Sequence, residues 1–257
     1  MLHTRRESIK ELLDSAGFVN VQELVNRFQV SSETIRRDLE ALEKEGLVRR
    51  IHGGAVSARP HSSESAYQNR QKDHIGEKRA IARAAAELIE DGDTIIMASG
   101  TTTLDVVPYL HRRKGLTVIT NSLPTAMELI SCPDVNVFCL GGHLRGDDFS
   151  TTGIMPLQNL GMFNPNKLIL GIGGITPDHG ITDYRMDESA LLRIFVDKVD
   201  CVIGLGDHSK FGVVSVYNIC PADRLTHLVT DSGTPDELCE PYRDMGVQVH
   251  TVEPEGE

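Results

Sequence analysis

Seven short, almost uninterrupted apolar runs, each followed by a change of pattern, constrain this 257-residue chain more than any other feature. They are Thr94-Ile-Ile-Met-Ala-Ser99, Leu116-Thr-Val-Ile-Thr-Asn121, Val135-Asn-Val-Phe-Cys-Leu140, Lys167-Leu-Ile-Leu-Gly-Ile172, Cys201-Val-Ile-Gly-Leu-Gly206, His227-Leu-Val-Thr230 and Val247-Gln-Val-His-Thr251. A strand with one wet face alternates apolar and polar residues, whereas a continuous run requires cover on both faces. Strands of this kind separated by helices predict an α/β domain built on a parallel sheet. Helices are expected from Gly76 to Glu90, with Ile81, Ala85, Leu88 and Ile89 on one face, from Thr102, and from Leu123 to Ser131.

Ligands of such sheets bind beyond the carboxyl ends of the strands. Five of those ends carry small or polar residues: Ser99-Gly100-Thr101-Thr102-Thr103, Asn121-Ser122, Gly141-Gly142, Gly173-Gly174 and Asp207-His208-Ser209-Lys210. A Gly-Thr-Thr turn entering a helix offers backbone N–H groups, hydroxyls and the positive helix end to an anion, which suits a phosphate. Lys210 and Arg145 are the candidate compensating charges. One such end alone is an ordinary βα turn; their convergence on one edge predicts a small-ligand pocket.

The first 58 residues read differently. Ile9, Leu12 and Leu13 give one helix a buried face, Gly17 is expected to end it, and a second short helix spans Val21 to Phe28 with Leu24 and Val25 inward. Ser31 or Ser32 then caps a third helix, with Ile35, Leu39 and Leu42 buried and Thr34, Arg36 and Arg37 outward. That compact spacing is the helix-turn-helix one, and it presents Ser32, Thr34, Arg36 and Arg37 to a DNA major groove. The segment from Leu47 to Ala55 reads as a β-hairpin wing, with Arg49, Arg50 and His52 available to phosphates. Residues 59–74 are polar and aperiodic and read as a linker, with Tyr67 as an ordering contact, leaving 75–257 as the α/β domain.

The run Ser31-Ser32-Glu33-Thr34-Ile35-Arg36-Arg37-Asp38-Leu39, with Leu42-Glu43, Gly46 and Arg50-Ile51-His52-Gly53-Gly54-Ala55, resembles the N-terminal signature of the DeoR family of bacterial transcriptional regulators. The resemblance continues through Glu77-Lys78, Ile81-Ala82, Gly100-Thr101-Thr102, Thr120-Asn121-Ser122, Gly141-Gly142, Glu188 and Asp207-His208-Ser209-Lys210-Phe211-Gly212, so it covers nearly the whole chain. It implies a winged helix-turn-helix joined to a sensor domain similar in fold to ribose-5-phosphate isomerase. It also implies repression of a carbohydrate catabolic operon and release by a phosphorylated sugar or sugar derivative. On the same basis the phosphate would sit at Gly100 to Thr103, with Asn121, Asp207 and Lys210 near the sugar and Ser99, Ser122, Gly141, Gly142, Arg145 and Glu188 completing the effector site. Where the family commonly carries Lys four residues after that Glu, this chain has Leu192, followed by Arg193.

A net charge of −11 is unusual for a DNA-binding chain, but it is unevenly placed. Residues 1–60 hold 10 Lys and Arg against 9 Asp and Glu, whereas the remainder holds 16 against 28. A neutral DNA-binding head implies modest non-specific affinity, so a homo-oligomer, dimer or tetramer, is expected to supply the rest. Five cysteines without a Cys-x-x-Cys pair predict neither disulfides nor a zinc site, and Cys139 and Cys201, inside apolar strands, read as buried thiols. No run of 18 apolar residues spans a membrane, and a charged N-terminus without an apolar signal segment points to the cytoplasm. No cofactor is expected. Two other readings remain: an isomerase-like enzyme carrying a DNA-binding unit, with Asp183, Asp187, Glu188 and Asp207 as carboxylates of the right type, and a constitutive architectural DNA binder. The first finds no nucleophile elbow or metal cluster in the sequence, and the second does not account for the polar strand ends.

Overall fold

The computed structural model describes residues 2–16, 18–51, 53–57 and 67–254. The N-terminal unit comprises α1 (Leu2–Ala16), β1 (Phe18–Asn20), α2 (Val21–Phe28), α3 (Ser32–Lys44), β2 (Val48–Ile51) and β3 (Gly54–Ser57). The three strands pair antiparallel in the order β1-β3-β2, which makes β2 and β3 the wing. Ile9, Leu13, Val19, Leu24, Ile35, Leu39, Leu42, Val48 and Ala55 form its core. Asn20 caps α2 by accepting from the Gln22 N–H at 2.7 Å, and Ser31 caps α3. The expected helix stop at Gly17 lies outside the described residues, as does the 59–66 part of the expected linker.

One buried charge ties the unit together. Asp38 on α3 is 2% exposed and receives both Arg5, at 2.6 Å, and Arg6, at 2.9 Å, from α1. It sits one position before Leu39, on the inward side of the helix, so two guanidinium groups must cover what would otherwise be an unpaired buried carboxylate.

The expected linker includes α4 (Tyr67–Lys72), followed by α5 (Ile75–Glu87). Tyr67 is buried, and that contact gives an otherwise polar stretch enough reason to fold. The larger unit continues with β4 (Thr94–Met97), α6 (Thr101–Leu104), α7 (Val107–Leu110), β5 (Leu116–Thr120), α8 (Leu123–Leu129), β6 (Val135–Cys139), β7 (His143–Leu144), β8 (Thr151–Thr152), α9 (Ile154–Leu160) and β9 (Lys167–Gly171). It ends with β10 (Gly174–Thr176), β11 (Gly180–Asp183), α10 (Met186–Asp197), β12 (Cys201–Leu205), β13 (Tyr217–Cys220), β14 (His227–Asp231), α11 (Asp236–Asp244) and β15 (Gln248–Val252).

All seven apolar runs become strands of one sheet, in the order β15-β14-β12-β9-β4-β5-β6, and every neighbouring pair is parallel. One face packs on a cluster that includes Ile81, Ala85, Val107 and Leu129, and the other on one that includes Leu160, Leu191, Phe195 and Tyr242. The chain winds outward from β4 through β5 to β6, then returns to β9 and winds the other way. The carboxyl ends of β4 and β9 therefore flank the switch point, where adjacent crossovers diverge and leave a crevice.

Three expectations change here. The helix from Thr102 is two single turns, α6 and α7, because Pro108 at the start of α7 supplies no N–H to the turn before it. The runs 174–176, 180–183 and 217–220 form a small antiparallel sheet, β10-β11-β13, too short and too rich in Gly and Thr to register as apolar runs. Cys139 is exposed rather than buried, because β6 is the sheet edge; Cys201 is half-buried.

The Asp38 arrangement makes a direct prediction. Asp38→Asn keeps one acceptor oxygen but removes the buried counter-charge of Arg5 and Arg6 and turns an amide donor toward one of them, and should destabilise the N-terminal unit by about 2 kcal/mol. Urea denaturation followed by far-UV circular dichroism would read this as a lower midpoint at unchanged slope; an unchanged midpoint contradicts it.

Candidate functional site

The outward face of α3 is a set of side chains in three different states. Ser31 Oγ accepts from the Thr34 N–H at 3.3 Å and lies 2.9 Å from Thr34 Oγ1, so the threonine, half-buried, belongs partly to the cap. Ser32, Arg36 and Arg37 are exposed. Arg37 meets Glu33 one turn back at 3.2 Å, whereas Arg36 and, on the wing, Arg49 carry no hydrogen bond or ion pair among the described residues. Arg50 is drawn onto α3: its Nε lies 2.7 Å from Glu43 Oε2, and its backbone N–H donates to Oε1 at 2.9 Å. Those two bonds hold the Glu43 carboxyl below the usual carboxylate range and fasten the wing to the helix. Arg50 must break its side-chain pair to reach a phosphate; Arg36 and Arg49 need break nothing. His52 lies outside the described residues.

The second region is the crevice at the switch point. The Ser99 N–H donates to Asn121 Oδ1 at 3.1 Å and its hydroxyl to Glu188 Oε1 at 2.6 Å. Asn121, fully buried, donates onward to the Thr151 carbonyl at 3.3 Å. Glu188 Oε2 accepts from Arg145 at 2.5 Å, and Arg145 also meets Asp148 and, at 3.4 Å, Asp187. The ends of β4 and β5, the β7–β8 hairpin and the start of α10 are thereby joined through one chain of polar contacts. Burial works against the Arg145 charge, but Glu188 and Asp148 more than offset it and push its pKa up.

Not every expected effector residue faces the crevice as a free group. Arg145 is held by three carboxylates and serves this frame. Ser122 caps α8, accepting from the Thr125 N–H at 3.3 Å. Thr103 is fully buried, and its hydroxyl lies 2.8 Å from the Ala98 carbonyl and 2.9 Å from that of Gly100, bracing the turn. Gly142 is a close approach: a Cβ there would lie 2.7 Å from the Thr152 carbonyl oxygen. Gly141 is exposed beside it. The hydroxyls of Thr101 and Thr102 carry no hydrogen bond among the described residues, and the first N–H groups of α6 have no intrahelical partners.

On the far side of the crevice, Asp207 is 1% exposed and accepts both the N–H of Ser209, at 3.0 Å, and its hydroxyl. Burial alone would raise its pKa, but Lys210, His74, the Ser209 hydroxyl and His208 together hold it far below the ordinary carboxylate range. No ion-pair contact joins Asp207 and Lys210; the Lys210 side chain, half-buried, has no partner among the described residues. The missing Lys after Glu188 is not replaced locally. Leu192 is in the core, and Arg193 donates to the Asn218 carbonyl at 2.7 Å, toward β13.

Two groups here escaped the sequence reading. Lys78 is 4% exposed, with its ammonium on the carbonyls of Arg70 and Asp73 and its pKa lowered by burial. His74 packs edge-to-face on His208, with ring centroids 4.9 Å apart. Lys78 carried a signal, because an apolar helix face with Lys inside it is uncommon; His74 sat in a stretch that looked like linker.

Comparison with known proteins matches residues 5–61 to the DeoR-like helix-turn-helix domain and 73–232 to the DeoR C-terminal sensor domain. The HTH-type transcriptional regulator GolR of Listeria innocua is 33% identical over 97% of this chain and 98% of its own length. The glycerol-3-phosphate regulon repressor of Escherichia coli is 33% identical over 95% and 97%, and the putative aga operon transcriptional repressor of Escherichia coli O157:H7 is 33% identical over 96% and 93%. Among solved structures, ribose 5-phosphate isomerase from Plasmodium falciparum aligns at TM-score 0.39 and 17% identity over 53% of this chain and 52% of that one.

The buried frame can be tested by removing its cation. Arg145→Met leaves Glu188 and Asp148 buried without a counter-charge and should cost about 3 kcal/mol. Adding Glu188→Gln should restore part of that loss, the non-additivity expected of direct partners. Equal and additive losses in a denaturation-based double-mutant cycle would rule the coupling out.

Proposed function

The chain belongs to the DeoR family of helix-turn-helix transcriptional regulators, and on that premise we propose that it represses a carbohydrate catabolic operon and leaves its operator when a phosphorylated sugar or sugar derivative binds the sensor domain. It works in the cytoplasm as a homo-oligomer, with two or more heads on repeated half-sites of double-stranded DNA. In this reading α3 enters the major groove, with Arg36 and Arg37 reading bases, Ser32 and Thr34 beside them, and Arg49, Arg50 and His52 on phosphates.

The observation that carries the effector reading is the concentration of unsatisfied polar groups at the switch point. Among the described residues the Thr101 and Thr102 hydroxyls, the first N–H groups of α6 and the Lys210 ammonium are unpartnered there, while Ser99, Asn121 and Glu188 tie the surrounding elements together. A phosphate at Gly100 to Thr102 with the sugar toward Asn121, Glu188 and Asp207 would satisfy them. Oligomerisation finds support on the β6 flank. Met127 and Ile130 of α8 are 72% and 79% exposed on one side, and Phe138, Ile154 and Met162 are exposed on the other. An apolar margin of this kind beside an open strand edge suits a second copy of the chain. Ligand binding at one edge would shift how the heads are held, a coupling of about 1–3 kcal/mol.

As an isomerase the domain would need a carboxylate able to take a proton. Asp207 is held strongly toward its ionised, weakly basic form, and Glu188 is engaged on both oxygens, so neither favours that alternative.

Fluorescence anisotropy on a labelled upstream operator fragment, with and without a panel of sugar phosphates, tests the reading. One compound should abolish binding, and Thr102→Ala and Lys210→Ala should bind DNA normally yet ignore it; a normal response from both variants misplaces the pocket. Arg36→Ala should cost about 1–3 kcal/mol and relax specificity, whereas Arg49→Ala should weaken binding to all sequences and reduce the salt slope by about one. The same salt slope for both variants would collapse that distinction.

A further inference from the structure

Three donor groups converge beside the crevice, and two of them, His74 and His208, have no part in the DNA contact or the sugar-phosphate binding proposed above. His74, Asp207 and His208 each bring a nitrogen or a carboxylate oxygen to within 4.8 Å of the others. Each is held in place by something other than its neighbours in the cluster.

His208 is oriented from behind. Its Nδ1 lies 2.9 Å from Asp231 Oδ2, and its backbone N–H donates to Asp231 Oδ1 at 2.7 Å. Asp231 is 1% exposed and also accepts the Gly233 N–H at 2.9 Å. A carboxylate facing Nδ1 places the proton on that nitrogen and leaves Nε2 with a lone pair. The ring is also walled in, since a Cβ on Gly233 would lie 2.8 Å from His208 Nδ1.

His74 is held by its backbone. It stands immediately before α5 in the left-handed region, φ 54° and ψ 43°, and its side chain makes no helix-capping bond. A non-glycine residue is uncommon there and persists where its surroundings impose it. The consequence is that the imidazole lies edge-on to His208, with Glu77 Oε1 3.7 Å from its Nδ1. Asp207 supplies the third donor. Its Oδ1 takes both bonds from Ser209, whereas Oδ2 of this almost wholly buried carboxylate has no hydrogen-bond partner among the described residues.

Two imidazoles and a carboxylate, with a second carboxylate behind each imidazole, make the donor set of a three-ligand metal site with an open position. Metal–ligand bonds of 2.0–2.2 Å put ligand atoms about 3.4 Å apart, so binding requires the three groups to draw closer than they stand here. We propose that His74, Asp207 and His208 form a site for a divalent transition metal of the zinc type, oriented by Glu77 and Asp231. The His208–Asp231 pair by itself is an ordinary loop clasp. It explains neither the imposed backbone of His74 nor the Asp207 oxygen that has no hydrogen-bond partner among the described residues.

The test uses the full chain, stripped with a chelator and titrated with Zn²⁺ against a chromophoric competitor, with no sugar and no DNA present. One zinc per chain is expected, and His74→Ala and His208→Ala should each weaken binding by about 100-fold or more. Glu77→Gln, which keeps all three ligands, should weaken it by about tenfold and covers the case in which a ligand variant misfolds. His250→Ala, in the separate pair where His227 Nδ1 lies 3.1 Å from His250 Nε2, should leave zinc binding unchanged. Absence of stoichiometric zinc, retention of it in both ligand variants, or its loss in His250→Ala overturns the site. Because no sugar enters the titration, this result is independent of the effector reading.

Discussion

Two parallel strands cannot be joined by a tight turn, and this restriction organises the whole larger unit. Each step across the sheet requires a crossover, each crossover lies on one face, and both faces are thereby buried. The strands must then be apolar on both sides, as Ile95, Ile96 and Met97 of β4 are, all of them fully buried. Reversal of winding between β4 and β9 opens the crevice. The residues lining it are those of the strand ends, since only there does the backbone emerge from the sheet.

Once the crevice exists, its polar groups divide into those that hold it and those without a partner among the described residues. Ser99, Asn121, Glu188, Arg145 and Asp148 form a continuous set of buried contacts from β4 to α10. A half-satisfied network at such a place would be worse than an apolar one, and the near-complete pairing gives the neighbouring turn a fixed shape. Thr101, Thr102 and Lys210 sit beside that frame with side-chain polar atoms that have no partner among the described residues. The contrast is sharpest between Ser99, bonded to Asn121 and Glu188, and the hydroxyls of Thr101 and Thr102 two and three positions on.

The DNA-binding unit follows the same logic on a smaller scale. Asp38 holds α3 against α1 through two arginines, and Glu43 holds the wing through a third. The unit's arginines are therefore of two kinds. Arg5, Arg6 and Arg50 maintain the head, while the side chains of Arg36 and Arg49 are exposed and unpaired among the described residues.

The sequence by itself determined the seven strands, the tight three-helix head with its wing, and the polar strand ends, because each depends on local periodicity, capping or chain stiffness. Tertiary structure alone decided which residues at those ends are free. Arg145 and Lys210 are both basic residues next to strand ends, yet one pairs with three carboxylates and the other with none among the described residues. Thr102 and Thr103 are adjacent, yet helical rotation of about 100° turns one hydroxyl out and the other onto the Ala98 carbonyl. His74 was invisible for the same reason: its partners Asp207 and His208 lie more than 130 residues away in the chain. Spacing along a sequence records which groups share a face, but pairing across a sheet depends on strand order, which only the folded chain sets.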